Sequence, residues 1–124
     1  MSPLAWLAFL AAGAVGAPAR YLVDGLVADR LEGVFPWGTL VVNATGSLLL
    51  GLLTGFSLYH AFPTTPKVVL GTGFCGAYTT FSTFSFETVR LLEEGAVNEA
   101  FRNAFGTLVI CAAAAVAGVA VAAL

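Results

Sequence analysis

Charge is what this chain has least of. Among 124 residues there are five Lys and Arg, seven Asp and Glu and one His, so 10% is charged and the net charge is −2. A soluble domain is usually about a quarter charged, and a chain this poor in polar groups cannot cover a water-facing surface. With so few cations no basic patch can be assembled, which removes nucleic acid as a partner. Cys75 and Cys111 both fall inside apolar runs. They are too few for a disulfide framework, lack metal-ligand spacing, and read as small buried apolar residues. His60 is the only histidine and sits between spans. No span pairs a nucleophile with a base, so the chain is not an enzyme. No Lys or Arg precedes Arg20. A signal peptide needs such a charge before its apolar run, so Ala17-Pro18-Ala19 is read as part of a retained first helix.

What is present is hydrophobic: 59% of the residues, with a mean hydropathy of +0.93. The chain reads as one all-α transmembrane domain, residues 1–124, with spans at about 4–23, 37–59, 67–90 and 101–123. Each is close to the roughly 20 residues needed to cross about 30 Å of hydrocarbon. Trp37 and Tyr59 bracket the second span as interfacial aromatics do. Polar stretches at 24–36 and near Glu93, Glu94, Asn98 and Glu99 separate the spans. Arg30, Arg90 and Arg102 against Lys67 lean the first and third loops inwards, a weak orienting signal.

Three constellations stand out. In the second span Thr39, Asn43, Ser47, Gly51 and Gly55 recur every four residues and so share one helix face. An Asn at membrane depth must find a partner or line water, so it either glues helices together or lines a pore. Gly13, Gly16, Gly71 and Gly73 permit close helix packing. In the third span five hydroxyls and two phenylalanines crowd into residues 79–85, just after Gly76. Hydroxyls can bond back to a helix and bend it, so the third helix is expected to break near its middle. A break at that depth frees backbone groups that only protein, water or an ion can satisfy. Phe81 and Phe84 share a face, and their positive ring edges can attract an anion weakly enough for it to leave. In the fourth span Asn103, Thr107 and Cys111 repeat the four-residue step, which is either a continued polar track or a set of satisfied side chains. Glu87 marks the end of the third span.

GAVGAPARY at 13–21, GTLVVNATGS at 38–47 and GFCGAYTTFSTFSFE at 73–87, in that order, resemble the bacterial fluoride channel family called Fluc or CrcB. The resemblance implies a fluoride-selective channel in the plasma (inner) membrane, multi-pass, that lets cytoplasmic fluoride leave passively. It implies a dual-topology homodimer with two antiparallel subunits in lipid and two pores. Carried onto this sequence, Asn43 becomes the pore-lining amide, Phe81 and Phe84 the ring lining, and Ser82, Thr83 and Thr107 hydroxyls of the path. Arg20 becomes the arginine of an aqueous vestibule. The backbone carbonyls of Gly76 and Thr79 become ligands of a structural sodium ion (Na+) on the dimer axis. Cys111 stands where the family's track suggests a hydroxyl.

The competing reading is a small antiparallel four-helix multidrug exporter. Proton coupling there needs a titratable carboxylate at membrane depth in the first helix, and residues 4–19 contain none. An accessory subunit using its polar groups as packing glue would not need hydroxyls and ring edges gathered at one break.

Overall fold

The computed structural model describes all residues, 1–124, and every regular element is helical. Helix α1 spans Pro3–Arg30. Ser2 opens it, its hydroxyl accepting the Ala5 N–H at 3.1 Å, and proline stands in the first turn, where its missing N–H costs nothing. The helix runs on to Arg30 rather than stopping near Val23. Asp24, Asp29 and Arg30 mark where the chain leaves hydrocarbon, but charged residues do not break a helix. The turn at Gly33, with φ +126, and Pro36 complete the change of direction.

Helix α2 spans Trp37–Tyr59. A reversal at Ala61, φ 52, leads to α3, residues 64–78, which starts earlier than Lys67. Its middle, Val69–Cys75, is wound as a π-helix; the Gly76 N–H reaches back to the Gly71 carbonyl. Thr79 is extended, with φ −78 and ψ 161, and α4 resumes at Ser82–Glu93. The third helix is therefore in two pieces. Gly76 itself is helical (φ −62, ψ −36), so the chain leaves the helix three residues beyond it. Gly95, φ +80, turns the chain into α5, Val97–Ala122, which begins before Phe101 and has a second π-wound stretch at Arg102–Gly106. Three helices, α1, α2 and α5, are long and apolar enough to cross a membrane.

Small residues set the packing. A side-chain carbon at Gly51 would run into the Ala115 carbonyl, and one at Gly118 would lie 2.5 Å from the Leu48 carbonyl, so α2 and α5 touch backbone to backbone. A carbon at Gly16 would sit 2.6 Å from the Phe74 carbonyl, and one at Gly73 3.0 Å from the Phe9 carbonyl, which draws α1 onto α3. In lipid this close packing stands in for hydrophobic exclusion. Only 21 of 124 residues are buried, while Leu4, Leu7, Leu108 and Val116 point outwards. Such an apolar exterior suits hydrocarbon, not water.

Candidate functional site

The break between α3 and α4 is held from two sides. Thr80 lies where the helical ladder has come apart, and it is buried. An unpaired buried N–H or C=O costs about 1–3 kcal/mol. The Asn43 carboxamide supplies both partners: its Nδ2–H donates to the Thr80 carbonyl at 2.8 Å, and its Oδ1 accepts the Thr80 N–H at 2.8 Å. From α1, Arg20 donates an Nη1–H to the Thr79 carbonyl at 3.1 Å. The Thr80 hydroxyl accepts the Thr83 N–H at 3.1 Å and donates to the Thr83 hydroxyl at 3.1 Å. Thr80 thus satisfies an orphan donor of α4 as an N-cap residue would. Ser82 Oγ is 3.4 Å from the Thr80 hydroxyl.

Beside the break lies an open cavity of about 640 Å³. Asn43 and Ser47 of α2, Thr79 to Phe81 at the break, Phe84 of α4, and Thr107 and Cys111 of α5 line it, with Gly76 and Thr72. The two rings stand 5.9 Å apart, tilted by 47°, and Phe81 is 79% exposed. The lining contains no Lys, Arg, Asp, Glu or His. What it offers is neutral: amide and hydroxyl protons and ring edges. Such a surface attracts a small anion without the grip of a fixed charge. It provides neither nucleophile nor base for chemistry.

Of the residues singled out from sequence, Asn43, Phe81, Phe84, Thr107, Gly76 and Thr79 meet on this wall. Ser82 and Thr83 do not line it; they connect to it through Thr80. Arg20 does not line it either, and approaches the break from α1. On α5, Asn103 is fully buried. It donates to the Thr88 hydroxyl at 2.8 Å and accepts from Thr107 at 3.2 Å, while Thr88 donates to the Phe84 carbonyl at 2.8 Å. Both open readings of the α5 polar residues therefore hold: they are satisfied, and Thr107 also faces the cavity.

Sequence reasoning did not single out Thr80, whose part lies in its main chain as much as its hydroxyl, or Thr88, a helical turn beyond Phe84. Glu87 has a specific partner, accepting the Thr39 hydroxyl at 2.6 Å. It also borders a second cavity of about 630 Å³ with Asp24, Arg90 and Glu94. The four-residue spacing of Thr39 and Asn43 was the signal that a second helix would meet α2 there.

Comparison with known proteins adds independent findings. A family model described as CrcB-like protein, Camphor Resistance (CrcB), matches residues 7–119. A protein of Streptomyces avermitilis named Fluoride-specific ion channel FluC 1 is 49% identical over 114 residues, which is 92% of each chain. Another of that name from Frankia casuarinae is 48% identical over 122 residues, covering 94% of this chain and 95% of that one. Fluoride-specific ion channel FluC of Nitrobacter winogradskyi is 44% identical over 114 residues, 91% of this chain and 90% of its own.

Proposed function

We infer that this chain, which belongs to the CrcB-like family, is a fluoride-specific ion channel of a bacterial membrane that it crosses several times. The observation that carries the reading is the uncharged groove of donor protons and ring edges, set against a main-chain break among apolar helices. Asn43, Phe81, Phe84 and Thr107 face the ion, with Ser82 and Thr83 behind them through Thr80. Arg20 contributes positive charge near the mouth. Fluoride follows its own gradient: the neutral acid enters a cell, ionises inside, and the anion leaves by the channel. The multidrug exporter has no support in the family assignment, and the first helix has no carboxylate at membrane depth. The direct test is fluoride efflux from liposomes containing only this chain, with chloride as control. Efflux of both ions alike, or of neither, would sink the reading.

The functional unit is an antiparallel homodimer with two pores. The supporting features are the open side of the groove, the 79% exposure of Phe81 and the weak orienting signal in the loops. With Cys75 and Cys111 replaced, a single cysteine at the exposed Thr64 should react with a membrane-impermeant reagent in about half of the molecules in intact cells. Full labelling, or none at a site shown to be accessible, speaks for one orientation.

A sodium ion fits the carbonyls of Gly76 and Thr79. The Thr80 N–H, the helical donor for the Gly76 carbonyl, goes to Asn43 instead, and nothing lies within 4 Å of the position a Gly76 side chain would take. Thr79 O accepts from Arg20 but keeps a second lone pair. When bound, the ion would neutralise converging carbonyl dipoles and raise the local positive potential. One chain offers too few oxygens, so a second copy would complete the set. Replacing sodium by a large organic cation during purification should weaken the dimer and reduce efflux. Unchanged behaviour would mean that another group satisfies the break.

A further inference from the structure

The Asn43 carboxamide spends itself on one residue that lies 37 positions away. Its Nδ2–H and Oδ1 pair with the Thr80 carbonyl and N–H, each at 2.8 Å, an exchange of two bonds like that between facing residues of paired strands. An amide nitrogen carries two protons, so one N–H remains for the groove. The Thr80 hydroxyl in turn holds the Thr83 N–H at 3.1 Å and so fixes where α4 begins. The first turn of α4 carries Phe84, and Phe81 immediately precedes it. On the other flank the adjacent peptide unit is held by Arg20.

We propose that Asn43 is a positioning residue that acts through Thr80: it splints the main-chain break and thereby holds the Phe81 and Phe84 rings at the groove. Direct contact of its remaining N–H with the anion is secondary. This deepens the reading of the groove as the fluoride path and rests on it for its functional half only.

Two variants separate the roles. Asn43→Leu has nearly the same shape and makes neither bond; Asn43→Ser keeps a hydroxyl but is too short to reach Thr80. Amide hydrogen exchange is followed residue by residue in the detergent-solubilised protein, without fluoride. In both variants the Thr80 and Thr83 amides should exchange about tenfold faster or more, while amides around Gly118 in α5 keep their native rates. If Asn43→Leu does not fold, Asn43→Ser carries the test alone. In liposomes, maximal efflux should fall while its half-saturating fluoride concentration stays within about twofold, because the loss is of geometry and not of a ligand. Native exchange at Thr80 in a folded variant overturns the splint. A raised half-saturating concentration with native exchange makes Asn43 a direct anion ligand instead. A wild-type chain that passes no fluoride would defeat the channel reading, while the exchange data would still decide the splint.

Discussion

Isoleucine in place of Phe81 or Phe84 is expected to leave a folded protein that has lost at least about 99% of its fluoride efflux, the kinetic equivalent of roughly 2.7 kcal/mol. The two rings stand 5.9 Å apart at the groove, and the groove has no charged side chain to take over the attraction of an anion. Isoleucine preserves most of the apolar bulk but has no positive edge. The fold should tolerate the change at Phe81 well, because a ring 79% exposed within its own chain does little for that chain's core. The measurement pairs efflux from liposomes with gel filtration of the same preparation. Efflux within twofold of the parent for both variants would make the rings packing residues.

Alanine at Gly118 should do damage of another kind, by keeping α2 and α5 apart. The added carbon would lie 2.5 Å from the Leu48 carbonyl oxygen and 2.7 Å from the Leu52 nitrogen. Both are main-chain atoms in the middle of a helix, so no side-chain rotation can clear them, and the helices must separate. Overpacking in a core typically costs about 1–3 kcal/mol, and a clash against backbone on this scale belongs at or above the top of that range. The seam also sets Ser47 across from Thr107 and Cys111 in the groove, so efflux should fall with stability. Thermal unfolding in detergent reads the effect. Gly106→Ala is the control, since nothing lies within 4 Å of the new carbon and the residue is helical (φ −63). Equal stability of the two variants would show that the α2–α5 contact is not the one holding the bundle.

How much of this was legible beforehand depended on whether the cause was local. The limits of α2, Trp37–Tyr59, coincide with its bracketing aromatics and with Pro36, all of which act within a turn or two. The far end of α1 was not legible, because hydropathy reports where hydrocarbon ends and not where hydrogen bonding ends. Hydroxyl crowding announced an interruption in the third helix, yet pointed to Gly76. The actual departure, at Thr79, is stabilised by Asn43 and Arg20 from other helices, and no spacing within 64–93 encodes those partners. Asn43 clearly needed a partner by virtue of its depth. That the partner would be the main chain of Thr80 follows only from how α2 and α3 cross. Glycine spacing indicated close packing, but not that Gly51 would meet Ala115 and Gly16 the Phe74 carbonyl.

The π-wound stretch Val69–Cys75 makes the phase of α3 as much a part of the sequence as its composition. Ordinary α-winding advances about 100° per residue, and a wide turn takes up one residue more than α-winding requires. Deleting a single residue there would let the helix tighten with almost no loss of apolar length, so a hydropathy profile would barely register the change. Everything after the deletion would nevertheless be swung round relative to α1 and α2. The Thr79 carbonyl would turn away from Arg20, and the Thr80 peptide from Asn43. Insertions and deletions in this stretch are therefore expected to act like frame errors in a ruler, harmless to length and ruinous to alignment. Conservative point substitutions at the lipid-facing positions of the same stretch should pass almost unnoticed.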